Sequence, residues 1–310
     1  MPAPTKDTEI LTIAAIREES GRILFNEREQ IFTLPETKAR DEVSRRLYEA
    51  LERKVPVKTL LDPRRGLVQR IDSLSEGEIE EFRRIHPRLE KPEKAMRVDV
   101  PNIDPTRFNI VDVSLKVPVF KLCTKIVPSY AKAKEIFDYC AQQSCHLPGP
   151  TTETPCIPFQ YVRDGCYARA HKMRKIITEK YGYCCEKVFS FAIDNDDELS
   201  VQANKWGGCC VTWWYHVTPL IRVQIKILNI KFTLALVIDP GMFDKPVLLS
   251  SWLMAQENAA CSPNARVSMY TIQPGSAYSP ANGQGTAFST DPAYTATNQT
   301  LINYHSLTTC

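Results

Sequence analysis

The chain has 310 residues, 43% hydrophobic, 24% charged and 9% aromatic, which excludes a disordered polymer or a collagen-like repeat and, at this length, favours two domains over one. With 39 Lys and Arg against 36 Asp and Glu, the net charge of +3 implies no nucleic-acid partner and no anionic membrane surface. No apolar run approaches the about 20 residues that cross a bilayer, so the expectation is a soluble protein without a membrane partner.

In chain order, the segments 9–16 and 22–26 read as short strands around a turn at Ser20-Gly21, and 30–34 as another. Val43, Leu47, Ala50 and Leu51 recur at helical spacing with charges on the other faces, which predicts an amphipathic helix. Ser75-Glu76-Gly77-Glu78 has capping-box spacing and opens a second helix through Phe82 and Ile85, stopped by Pro87. Prolines 92, 101 and 105 then fall among charges, as in a linker or extended strap, and place a domain boundary near residue 122. Beyond it, 131–139 has a helical pattern, and Cys145 and Cys156 flank a proline-rich loop that they are placed to staple. Residues 164–177 read as a helix with Asp164 as N-cap, ending near Gly182, so Cys166 falls in its first turn. The segments 211–217 and 221–238, rich in β-branched and aromatic residues, predict long antiparallel strands broken near Leu228-Asn229. Loops with short strands are expected over 262–300.

The two parts are different materials. None of the eleven cysteines precedes Cys123, while 45 of the first 122 residues are charged against 30 of the remaining 188. Cysteine density points to disulfides and an oxidising compartment, and an odd count leaves at least one thiol without an intramolecular partner. The start of the chain has no apolar signal-peptide core, which conflicts with the secretion that the cysteines suggest unless a signal has been removed or omitted, and a secreted protein is the expectation.

A thiol in the first turn of a helix faces the positive end of the macrodipole, which favours the thiolate and marks Cys166 as the candidate nucleophile. Such a nucleophile needs a histidine base held by a carboxylate or amide. Of the five histidines, His171 lies about 140° around the helix from Cys166, His86 lies in the cysteine-free part, and His146 and His305 sit in loop-like surroundings. His216, in Trp213-Trp214-Tyr215-His216-Val217, is held on a strand. A hairpin turning at 227–229 brings residues 239–241 opposite His216, and Asp239 stands there, before Pro240-Gly241.

Asp164-Gly165-Cys166-Tyr167-Ala168-Arg169-Ala170-His171-Lys172-Met173-Arg174, Gly208-Cys209-Cys210-Val211, Trp213, Tyr215-His216-Val217 and Ile238-Asp239-Pro240 closely resemble the bacterial secreted protein-glutaminases over most of residues 123–260. The resemblance implies an α+β fold of the transglutaminase/papain-like type, with an antiparallel sheet, a nucleophile helix and a Cys166-His216-Asp239 triad. It implies deamidation of protein- or peptide-bound glutamine to glutamate, with no cofactor and no metal. The N-terminal part resembles, more weakly, the family's small α+β propeptide, which blocks the catalytic cleft. The expected division is therefore 1–122 as inhibitory propeptide with a Pro-rich linker at its end, and 123–310 as disulfide-containing catalytic domain. Additional cysteines, including Cys123, Cys140 and Cys184, and the strand segment 224–236 depart from the family pattern.

The chemistry follows from the residue types: Cys166 attacks the side-chain amide, His216 donates to departing ammonia and then activates water, and Asp239 sets the imidazole tautomer. The Cys166 backbone N–H is the expected first oxyanion donor. Trp206, Trp213, Trp214 and Tyr215 are candidates for the walls of the glutamine slot. The expected partners are glutamine-containing proteins or peptides, the chain's own propeptide and an activating protease acting among basic residues such as Arg97, Arg107, Lys116 and Lys121. Gln30, opening a strand-like segment, is the candidate pocket mimic. A transglutaminase or a cysteine protease with the same triad, and a non-catalytic secreted binding protein with Cys166 in a disulfide, are the alternatives.

Overall fold

The computed structural model describes residues 8–34, 40–92, 96–97, 125–145, 156–194, 196–227 and 230–308. Strands β1 (Glu9–Leu11), β2 (Ile13–Arg17), β3 (Arg22–Phe25) and β4 (Phe32–Thr33) are followed by helix α1 (Arg40–Arg53), strands β5 (Val57–Asp62) and β6 (Leu67–Asp72), and helix α2 (Glu76–Ile85). The strands form one six-stranded sheet, in the order β1-β5-β6-β4-β3-β2. The predicted face of α1 covers it, burying Val43, Leu47 and Ala50 in a core with Ile23, Phe25, Phe32 and Val68. The predicted capping box opens α2, with Ser75 accepting from the Glu78 N–H and Glu78 accepting from the Ser75 N–H. The hairpin β5–β6 has no counterpart among the predicted elements, although its turn carries a legible signal in Pro63 and in Gly66, whose φ is +64°.

The second sheet takes β7 (Met96–Arg97), and, after helices α3 (Tyr130–Gln142) and α4 (Cys166–Lys175), strands β8 (Glu186–Phe191), β9 (Leu199–Gln202), β10 (Cys210–Trp213), β11 (Tyr215–Ile227), β12 (Ile230–Val237) and β13 (Val247–Leu248) follow. Helix α5 (Leu249–Met254), strands β14 (Met269–Pro274), β15 (Ala277–Pro280) and β16 (Phe288–Thr290), and helix α6 (Thr295–Tyr304) complete the order. The main sheet is β13-β12-β11-β8-β14-β7, all antiparallel, with β9–β10 and β15–β16 as separate pairs. The chain is thus α+β, as expected. The long strands predicted from 211 to 238 appear as β10, β11 and β12, while α6 occupies a stretch expected to be loops and short strands. The expected boundary at residue 122 lies outside the described residues. Before it, β7 pairs with β14, the Leu89 N–H donates to the Phe288 carbonyl (2.8 Å) and the Thr290 N–H to the Pro87 carbonyl (2.7 Å). The described start of the expected strap, residues 87–89 and 96–97, is therefore held against β16 and β14.

Two disulfides are placed, Cys145–Cys156 across the proline-rich loop and Cys210–Cys261, and Cys184 and Cys209 are disulfide-bonded as well. Among the described residues Cys140, Cys166 and Cys185 are free thiols, all buried. The reading of Cys166 as a half-cystine thereby falls. Among the described residues no helix is long and apolar enough to cross a membrane.

Because Leu47 is fully enclosed between α1 and the first sheet, Leu47→Ala is expected to cost about 3 kcal/mol, read as a lowered urea midpoint. A loss of less than about a third of that would mean that α1 does not seal this core.

Candidate active site

Helix α4 starts at Cys166 because Gly165, with φ +88°, turns the chain in a conformation that L side chains rarely adopt. A Cβ at Gly165 would also lie 2.8 Å from the Tyr304 ring. The cap is therefore Gly165 and not the predicted Asp164, whose side chain accepts from the Gly165 N–H (2.7 Å) and from Arg28 Nη1 (2.7 Å). Asp164 is spent on holding the turn and the incoming N-terminal segment. Its carboxyl is pushed up to about 6, chiefly by burial and with Glu29 nearby adding to it, against the pull of Arg28.

His216 stands in β11, opposite Ser190 of β8, between the rings of Trp213 (4.6 Å, stacked) and Trp252 (5.6 Å). The β11–β12 ladder ends at Leu220 and Val237, so the chain leaving β12 passes the histidine and delivers Asp239. His216 Nε2 lies 3.0 Å from Asp239 Oδ2. The same oxygen accepts from Trp252 Nε1 (3.0 Å), and Oδ1 accepts from the Gly241 N–H (3.1 Å). Burial opposes the Asp239 charge, yet the hydrogen bond and charge of His216 outweigh it and hold the carboxyl below its ordinary range.

Glu29, wholly buried, enters this cluster from the loop between β3 and β4. Its Oε1 accepts from the Cys166 N–H (3.2 Å) and lies 3.5 Å from Arg169 Nη2, and its Oε2 is 3.2 Å from His216 Nδ1. A Glu29 oxygen, the Cys166 sulfur and a His216 ring nitrogen all lie within 4.8 Å of one another. These groups have the spacing of metal ligands, but Glu29 already has protein partners on both oxygens. Burial lowers the His216 pKa, but two flanking carboxylates, Asp239 and Glu29, more than compensate and raise it to about 9. The Cys166 thiol is pushed well above its ordinary value, first by burial and then by Glu29, with Arg169 opposing. The lowered pKa expected from the helix terminus is therefore not realised while the Glu29 carboxylate covers that terminus.

Gln30, the expected mimic, turns away: its side-chain amide donates to the Pro63 carbonyl (2.7 Å). The group at Cys166 belongs to its neighbour, because alternate residues of an extended segment face opposite sides. The segment lies along the strand as anticipated, with Gln30 bridged to Trp213 and the Trp214 N–H donating to the Glu29 carbonyl (3.0 Å). Of the four aromatic candidates, Trp213 lines a crevice with Arg169, His216 and Asp239. Trp206 donates to the Gly241 carbonyl behind Asp239 (2.9 Å). Trp214 and Tyr215 are fully buried in the core beneath Cys166, Trp214 Nε1 donating to the Arg28 carbonyl (2.6 Å).

The other histidines stand apart from Cys166: His171 contacts Lys187 Nζ (2.7 Å) and the Asp291 carbonyl, His86 stacks on Phe82, and His305 contacts the Ile302 carbonyl. His146 lies outside the described residues. Sequence reasoning missed Glu29, Arg169 and Trp252. An Arg-Glu pair at 28–29 between two apolar strands was the signal available for the first.

A family model described as glutaminase matches residues 133–256. A crystal structure of protein-glutaminase is 34% identical, covering 60% of this chain and 92% of its own, with a TM-score of 0.50, and the solution structure of the protein from Chryseobacterium proteolyticum is 33% identical over 60% and 91%, also at 0.50. The chain belongs to the protein-glutaminase family. A crystal structure of pro-protein-glutaminase matches over 98% of this chain and 95% of its own, at 26% identity and a TM-score of 0.70, so the likeness extends through the N-terminal sheet. This protein-glutaminase is therefore a proenzyme, a hydrolase that deamidates glutamine in proteins. No curated protein matches.

The raised His216 pKa has a consequence for the protein-glutaminase's stability. A base whose folded pKa exceeds its unfolded value of about 6.5 stabilises fully below that value and loses the contribution as pH rises through about 9. The thermal midpoint of the full chain should fall across that window more steeply than that of His216→Gln, as followed by calorimetry. Parallel pH curves would show that the Glu29–His216–Asp239 contact is not carried by charge.

Proposed function

We propose that Cys166, His216 and Asp239 carry out the deamidation as nucleophile, acid–base and orienting carboxylate. Cys166 adds to the glutamine amide carbon, His216 protonates the departing nitrogen, and ammonia leaves a γ-glutamyl thioester. Water, deprotonated by His216, then cleaves the thioester to glutamate and the free thiol. Asp239 holds Nε2, which leaves Nδ1 facing the reacting groups. The observation that carries this reading is the convergence of the three side chains at a helix N-terminus, with a hydrogen bond of 3.0 Å between His216 and Asp239.

Residues 1–122 act as the inhibitory part and 123–310 as the catalytic part. Arg17 donates to the Asp197 and Ala192 carbonyls (2.7 and 2.6 Å) and Arg22 pairs with Glu198 (3.2 Å), which supports a fitted, removable block on the cleft. An activating protease that severs the two, and secretion into an oxidising space suited to the disulfides, complete the proposal.

Ammonia release from a glutaminyl peptide should be low for the full chain, rise after limited proteolysis and vanish in Cys166→Ser. Release retained by Cys166→Ser would refute the nucleophile, and equal release before and after proteolysis would refute the latency.

A further inference from the structure

We propose that Glu29 is held in the cleft as a reaction product, so that its two carboxylate oxygens mark the places of the oxyanion and of the exchanged ammonia or water, and that the Arg169 guanidinium is the second oxyanion donor beside the Cys166 N–H. The inference rests on the reading of Cys166 as nucleophile and His216 as acid–base.

Deamidation turns a γ-carboxamide into a γ-carboxylate on an otherwise unchanged side chain, and glutamate is that product. Glu29 is docked as a bound peptide would be, through the Trp214 N–H on its carbonyl and the bridge of Gln30 to Trp213. Its oxygens have different partners. Oε1 faces the Cys166 N–H (3.2 Å) and Arg169 Nη2 (3.5 Å), both donors, whereas Oε2 faces His216 Nδ1 (3.2 Å). A glutamine docked in the same way puts its carbonyl oxygen at Oε1 and its amide nitrogen at Oε2. The nitrogen is then beside the group that must protonate it, and the oxygen beside the groups that must receive negative charge.

Arg169 is fixed for this task. It sits one turn along α4 from Cys166, buried, with Nη1 donating to the Tyr161 carbonyl (2.8 Å) and the Asp164 carbonyl (2.7 Å), which leaves Nη2 aimed at the cleft. A preset cation needs no reorganisation as charge develops, and buried in the protein it is less screened than it would be in water. Atoms and electrons balance: the Cys166 thiol proton passes to His216 as the sulfur bonds to the amide carbon and the carbonyl oxygen takes the electron pair, the oxyanion collapses with cleavage of the C–N bond as His216 passes that proton to the departing nitrogen, and water then gives a proton to His216 and its oxygen to the acyl carbon, the C–S bond breaks and the sulfur recovers its proton from His216. Glutamine and water become glutamate and ammonia.

The test uses the full chain with Glu29→Gln, in which the side chain at position 29 itself becomes the substrate. The expected result is conversion of the introduced glutamine back to glutamate, seen as a mass gain of about 1 Da in the peptide containing position 29 with about one equivalent of ammonia released. Adding Arg169→Met should slow that conversion roughly 100-fold, the effect of losing one oxyanion donor, while Arg169→Lys, which keeps the cation, recovers most of it. Arg169→Gln, which retains N–H groups for the two carbonyls, should be slowed like Arg169→Met and serves if the latter lowers the thermal midpoint. Because substrate and enzyme are one chain, binding is already satisfied and the rate reports the chemical step. Conversion in both neutral variants within about threefold of the chain that keeps Arg169 overturns the role of Arg169. Persistence of the introduced glutamine with Arg169 intact overturns the product reading. Conversion that survives Cys166→Ser would instead strike at the nucleophile and is distinguishable from both.

Discussion

An ionised carboxylate cannot be taken wholly out of water unless other groups replace its hydration, and Glu29 is wholly out of water. That constraint organises the contact between the two parts of the molecule. The replacement comes from a backbone N–H at a helix N-terminus, a histidine with a second carboxylate behind it, and a buried arginine. Next to it in sequence, Arg28 presents the opposite charge to Asp164, and to Glu9 on β1. Two adjacent residues of opposite sign thus enter a dry interface whose fixed charges are arranged in the complementary order.

The groups that neutralise Glu29 are those a deamidase needs. A helix N-terminus favours an oxyanion as much as a carboxylate, and a histidine between two carboxylates is held protonated, ready to donate to a leaving amine. Occupation by a product-like side chain is therefore efficient latency, because no group has to be displaced from its working position. It also keeps the thiol protonated. Burial is the first cause of the thiol's raised pKa, and the neighbouring Glu29 carboxylate adds to it by disfavouring a second negative charge. Outside this contact, the hairpin β2–β3 docks through Arg17 and Arg22 on the segment 192–198, and Gly283 allows a loop to pass so close to Ala14 that a Cβ would lie 2.3 Å from its carbonyl.

Much of this was legible. Periodic segments such as α1, the capping box of α2 and the long strands β11 and β12 could be read because their signal is local and repeated. The pairing of Asp239 with His216 could be inferred from a hairpin register and the place of Cys166 in a helix first turn from local spacing, whereas the joining of the three was implied only by the resemblance to the family. Less was legible where the signal is shared between distant segments. The choice between Glu29 and Gln30 is a choice of which face of an extended segment meets the cleft, and both faces are polar in this sequence. Asp164 reads as a helix cap because a carboxylate before a helix usually is one, but Arg28, from another part of the chain, claims it. Arg169 is one of several basic residues on its helix, and only its burial in the folded chain sets it apart.

By itself the sequence determined the contrast between a charged N-terminal part and a cysteine-bearing remainder, and the family to which the Cys166 and His216 motifs belong, a resemblance that in turn implied the α+β class. These are properties of composition, periodicity and short spacings, which a chain carries wherever it folds. The tertiary structure decided which thiols stay free, which residue of the 28–30 segment enters the cleft, and which tryptophans serve the site rather than the core. Those outcomes depend on burial, because a charge or a thiol acquires its behaviour from the groups that replace water around it, and most of those groups lie far away along the chain.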